Sequence, residues 1–208
     1  MLKQDGGIEM LQDKKSSEVT AAQDLTRYLF KPNISINGSI QPDTLTFFLD
    51  KLAAVRSANE DLILELTTVG GDADVARRIA MELRLFSRYS QRKAICVGKS
   101  FVYSAGVTIL AAFDRSNRYL TEDTVLLIHE RRLQQNLELS GPIQACRQIV
   151  QEQLSMLRTA ERLENEGFEE LVRGSRLTVR ELEKCIRTNC YLSASEAVEH
   201  GIVAAILR

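Results

Sequence analysis

The stretch Leu62-Ile-Leu-Glu-Leu-Thr-Thr-Val-Gly-Gly71 decides the fold class. Leu62, Leu64 and Leu66 alternate with Ile63, Glu65 and Thr67, the two-residue period of a strand. The paired glycines end it, and Asp72 offers a carboxylate to the free amides of a following helix. In that helix Val75, Ile79, Leu83 and Phe86 fall on one stripe, while Arg77, Arg78, Glu82 and Arg84 lie mostly off it. A strand, a glycine turn and an amphipathic helix form the repeating unit of an α/β protein.

The same alternation extends in both directions. Upstream, Ile34 to Ile40 reads as a strand interrupted by a turn at Asn37–Gly38, and Leu45, Phe48, Leu52 and Val55 predict a helix over Asp43 to Ser57. Downstream, Ala94 to Val97 is a buried strand running into Gly98, and an apolar helix begins near Ser104. Val125 to Ile128 is a continuous apolar strand that delivers His129 at its C-terminal end, as expected of a parallel sheet covered on both faces. A long helix follows from about Pro142 to Glu166, with Ile143, Ile149, Val150, Leu154, Leu157 and Leu163 as apolar members. Thr178 with Glu181, and Ser193 with Glu196, have capping-box spacing. Gly201 ends the last helix before a strand from Ile202 to Leu207.

At 208 residues the chain has the length of one domain, read as 21–208, behind a polar arm over 1–20 that is expected to be flexible. A net charge of −1 gives no electrostatic reason to expect nucleic acid or an anionic membrane surface as partner. The pairs Arg77–Arg78 and Arg131–Arg132 read as solvated faces. No signal peptide is visible, and the longest apolar stretch, Ala105 to Phe113, is too short to span a bilayer. Four cysteines, Cys96, Cys146, Cys185 and Cys190, lack CxxC spacing, and two histidines make a metal site improbable. The expectation is a reduced, cytoplasmic protein without cofactor, metal or disulfide.

Three strand ends carry chemistry-bearing residues, and in parallel sheets such ends cluster into sites. Ser104 stands where an apolar helix starts; alone it reads as a helix cap, but its neighbour Ala105 has an N–H suited to an oxyanion. Gly70 reads alone as a tight turn, yet a glycine there can turn an N–H toward a substrate carbonyl. His129, at the border of core and solvent, is the candidate general base; His200 reads as a helix-end group.

Taken together, Leu66–Gly71, Val102–Gly106, Leu127–His129 and Tyr191–Val203 resemble, in order, the motifs of the Clp protease proteolytic subunit, a serine peptidase family on the spiral fold of the crotonases. The resemblance spans Ile34 to Leu207. It implies repeated β-β-α units with mostly parallel sheets and a protruding handle helix, here Pro142 to Glu166. It implies Ser104 as nucleophile, His129 as base, and Gly70 and Ala105 as oxyanion-hole donors. It further implies homo-oligomeric rings, heptameric or stacked in pairs, that cut unfolded protein delivered by an ATP-driven unfoldase. Asn189 falls where the family has its triad aspartate. It can orient an imidazole but not offset its charge, and such a change costs about 10⁴ in kcat in the Ser-His-Asp setting. Val69 and Glu130-Arg131 stand where the family often has prolines. The readings are therefore an active serine endopeptidase, a weak or inactive ring subunit, and, as a third, acyl-CoA chemistry of the crotonase kind, for which no pair of acid/base glutamates is found.

Overall fold

The computed structural model describes residues 27–134 and 136–208; the predicted arm over 1–20 lies outside them. Seven strands among these residues form one sheet in the order β1-β2-β3-β4-β7, with β5 joined to β3 and β6 joined to β5. They are β1 (Ile34–Ile40), β2 (Leu62–Gly71), β3 (Ala94–Tyr103), β4 (Arg118–Thr121), β5 (Val125–Ile128), β6 (Cys190–Ser193) and β7 (Ala205–Leu207). Pairing is parallel except between β5 and β6. The helices are α1 (Pro42–Ala58), α2 (Ala73–Tyr89), α3 (Ala105–Ala111), α4 (Ile143–Val172), α5 (Val179–Ile186) and α6 (Ala194–Glu199). This is the expected α/β architecture, with β2 at the place the leucine alternation gave it.

Leu62, Leu64 and Leu66 point into the main core, where Phe48, Leu52 and Val55 of α1 and Val75, Ile79, Leu83 and Phe86 of α2 cover them. Ile63 looks the other way, into a smaller cluster with Ile95, Val97, Leu207 and Tyr28. Both faces of β2 are thus covered, as parallel strands require.

Irregularities in two strands aim the site. β1 is not interrupted at Asn37–Gly38: Gly38 takes φ +89°, and the register of β1 against β2 slips between Gly38 and Ser39, leaving Val69 as the extra residue of a bulge. Hydrogen bonding to β2 holds the strand together where local turn propensity alone would have broken it. In β3, Leu66 pairs with Gly98 but Thr68 pairs with Val102, so Lys99 to Phe101 bulge out around Ser100 at φ 57°. Before the bulge β3 pairs with β4; after it, β3 pairs with β5. The strand therefore runs to Tyr103, well past the predicted Val97, and switches neighbours so that its end lies against β5.

β4 is anchored by a buried cation. Arg118, 3% exposed, donates to the carbonyls of Ala111 (2.7 Å), Phe113 (2.8 Å), Leu171 (3.1 Å) and Ile202 (3.3 Å). Burial lowers its pKa to about 10, which leaves it charged at neutral pH. The carbonyls at the ends of α3 and α4 supply the negative dipole ends that make this tolerable. α4 extends about 45 Å at 1.5 Å per residue. It buries only Phe168, Leu171 and Val172 at its C-terminal end, so the rest protrudes, and Ile143, Leu154, Met156 and Leu157 are exposed. The predicted capping boxes of Thr178 and Ser193 are present, and Asp72 accepts from the N–H groups of Asp74 and Val75.

Candidate active site

Ser104 leaves β3 at φ 54° and ψ −118°, a conformation that non-glycine residues seldom adopt and that must be held from outside. Its N–H donates to the Leu127 carbonyl of β5 at 2.8 Å, and its own carbonyl accepts from Val107. Although it precedes α3, its hydroxyl makes no capping bond. The helix-cap reading of this serine is thus not what the structure contains.

The backbone of β2 presses on it from below. A methyl group at Gly70 would lie 2.7 Å from Ser104 Cβ and 3.0 Å from the Tyr103 carbonyl, and one at Gly106 would lie 2.3 Å from Thr68 Cγ2. Thr68 is buried; its hydroxyl donates to the Gly38 carbonyl (2.6 Å) and accepts the N–H of Gly70 (3.0 Å). The Gly70 N–H therefore turns back into β2. Gly71, not Gly70, lines the cavity onto which Ser104 and Ala105 open.

That cavity has a volume of about 780 Å³ and is also lined by Ile128, His129, Val107, Thr108, Leu163 and Phe168. His129 is half-buried just beyond β5. Its Nδ1 lies 2.6 Å from the carbonyl oxygen of Glu130. A carbonyl only accepts, so Nδ1 carries a proton, and in the neutral ring Nε2 then holds the lone pair, the tautomer a general base needs. The structure brings Ser104 and His129 to one cavity. No hydrogen bond joins them among the described residues.

Asn189 follows α5 in the left-handed conformation (φ 65°), with its N–H on the Ile186 carbonyl. β5 and β6 pair Val125 with Ser193 through Ile128 with Cys190, so His129 and Asn189 are the residues next beyond the last registered pair. Its side chain is exposed and has no hydrogen-bond partner among the described residues. The Asp123 carboxylate accepts from Thr121 and Ser100 at the far end of β5, and those bonds lower its pKa.

Two features were not legible in the sequence. Arg131, read as part of a solvated pair, ties the chain just past His129 to its surroundings: its N–H donates to the Glu164 carboxylate of α4, and its guanidinium meets Asp74 of α2 at 2.9 Å. Cys185 and Cys190 form a disulfide, contrary to the expectation of a fully reduced chain. Spacing hid it, because the last turn of α5 and the start of β6 bring the two Cα atoms to 4.9 Å without any CxxC. Cys96 and Cys146 are free; burial pushes the Cys96 thiol far above the ordinary range, which makes it inert. Among the described residues there is no acidic, histidine or cysteine cluster fit for a metal, and no helix is long and apolar enough to cross a membrane.

A strained serine at a strand end, beside a helix start and sharing a cavity with a histidine on a mostly parallel sheet, is an arrangement found in α/β proteins with a serine nucleophile. The Clp protease profile matches residues 15–208, and the chain belongs to that family. A ClpP1 from Listeria monocytogenes carrying an Asn-to-Asp substitution has a similar structure: TM-score 0.66, 22% identity, covering 88% of this chain and 96% of that one. No curated protein sequence matches.

Proposed function

We propose that this chain is a serine-type endopeptidase of the Clp kind, which cleaves peptide bonds of unfolded proteins through an acyl-enzyme on Ser104. The observation that carries this reading is the strained, non-capping Ser104, held open to the same cavity as His129. In the proposed reaction His129 Nε2 takes the Ser104 proton as Oγ attacks the peptide carbonyl. The N–H groups of Ala105 and Gly71 hold the oxyanion, Gly71 taking the role the sequence assigned to Gly70. His129 then protonates the leaving amine, and water repeats the cycle to release the acyl group. Asn189 is the proposed orienting residue. The test is a fluorophosphonate probe: wild type should be labelled and Ser104→Ala should not, and an unlabelled wild type would overturn the reading.

The exposed apolar residues of α4 support a homo-oligomeric ring, heptameric or stacked in pairs, as in the family; native mass spectrometry reads this directly. Delivery of substrate by an ATP-driven unfoldase and a cytoplasmic setting belong to the same proposal. The missing bonds from His129 to Ser104 and Asn189 favour a second reading, a ring subunit that is weak or inactive by itself. Stable rings with equally inert wild type and Ser104→Ala would establish it.

A further inference from the structure

We infer that Cys185 and Cys190 form a redox-modification site that controls the orientation of His129. The disulfide closes the five-residue step from α5 to β6, and the residue within that step next to Cys190 is Asn189. Cys190 is itself the last registered partner of Ile128, the residue before His129. The bond therefore staples α5 to the strand pair that leads directly into His129 on one strand and Asn189 on the other. Asn189 has no side-chain bond among the described residues, and its left-handed backbone must be held by its flanks. On one side that flank is the N–H bond to Ile186, and on the other it is the disulfide.

The two sulfurs are unequal. Cys190 is 1% exposed, whereas Cys185 is half-buried, so an incoming thiolate meets Cys185 first. A dithiol reductant attacks Cys185 and releases the Cys190 thiolate; its second thiol then resolves the mixed disulfide, leaving two protein thiols and an oxidised reductant. In the reverse direction a small disulfide such as oxidised glutathione accepts two electrons from the two cysteines and departs as two thiols. In a reducing compartment disulfides are commonly transient and sensing, which fits a bond at the edge of the core, one residue pair from His129.

Only the effect on Ser104 rests on the peptidase reading, so the experiment has an arm that does not. Full-length protein is equilibrated with dithiothreitol or oxidised glutathione, and cysteine pairing is mapped by differential alkylation and mass spectrometry. Oxidation should join Cys185 and Cys190 to each other, whereas Cys146 can form only a mixed disulfide with glutathione, which its added mass identifies. The chain has two histidines, so the imidazole resonances are assignable by NMR. Those of His129 should move between the two states and those of His200 should not. Fluorophosphonate labelling of Ser104 should be about tenfold faster in the oxidised protein, the size of effect expected from a misplaced catalytic group. Cys185→Ser should label at the reduced rate under both conditions. If both cysteines stay alkylatable under oxidant, or if the bond forms while His129 and the labelling rate stay unchanged, the inference is overturned. If His129 responds and Ser104 is unlabelled in both states, the switch stands and the peptidase reading fails.

Discussion

The two halves of the candidate site are built differently. The nucleophile half is fixed on every side by backbone: Gly70 lies under Ser104, Gly106 lies on Thr68, Thr68 is bonded to Gly38, and the Ser104 N–H is bonded to Leu127. The imidazole half hangs past the ends of two strands. His129 is held by its own neighbour's carbonyl, and Asn189 stands one step beyond the last β5–β6 pair, its side chain without a hydrogen-bond partner among the described residues. Packing within one chain therefore sets where Ser104 sits, and holds the His129 ring far more loosely.

The largest expected effect tests whether the nucleophile half depends on deep packing. Arg118 is the donor for four buried carbonyls, including Ala111 at the end of the helix that starts beside Ser104. Arg118→Met removes all of them, and we expect a loss of about 3–5 kcal/mol in urea unfolding, since each buried carbonyl left unpaired is costly. A loss under about 1 kcal/mol would show that α3 is held by its apolar face alone. The next effect is local. At Gly70, φ is +93° and a methyl would overlap Ser104 Cβ, so Gly70→Ala should lower the labelling rate of Ser104 about 100-fold while circular dichroism is preserved. Labelling within a few-fold of wild type would mean that Ser104 is not held from below.

This asymmetry also governs what the sequence could reveal. The leucine alternation of β2, the stripe of α2 and the boxes at Thr178 and Ser193 were readable because their causes lie within a few residues. Ser104 and His129 were readable as strand-end residues for the same reason. The switch of β3 from β4 to β5 was not, because it arises from a bulge that only the pairing with Thr68 defines. Nor was β4 itself, whose short span depends on the carbonyls gathered around Arg118. Nor was the turn of the Gly70 N–H back into β2, because it depends on the Thr68 hydroxyl that takes it. The cysteine pairing required the end of α5 to meet β6. Each miss is a contact between residues distant in sequence or a turn shaped by such contacts.

The imidazole half is addressed by Asn189→Asp. The new carboxylate would stand next beyond the pair that leads to His129, where its charge would stabilise the imidazolium formed in the proposed attack by Ser104. We expect kcat on an unstructured peptide to rise about tenfold with KM little changed. The gain stays well short of the penalty for the reverse change in an assembled triad, because the side chain is not bonded to the ring. An unchanged rate would assign the orienting role to the Glu130 carbonyl.

The smallest effect lies farthest from the chemistry and marks the outer limit of the rigid half. Glu82 of α2 accepts from Arg78 at 2.7 Å and from Arg56 of α1 at 2.9 Å, tying together the two helices that cover β2. The Arg78 bond, then that of Arg56, hold its carboxyl below the usual 4.5, against the opposing pull of burial. A carboxyl lowered in the folded state stabilises the fold above its unfolded pKa, and that contribution disappears as pH falls through the folded value. Both arginines are nearly half exposed, so solvent screening limits the contribution to about 1 kcal/mol. Urea unfolding should then show Glu82→Gln less stable than wild type by about that amount at pH 7, with the two curves converging in acid below the carboxylate range. A difference that persists in acid would trace to lost packing instead of charge, and would place the seam between α1 and α2 with the loosely held parts of the molecule.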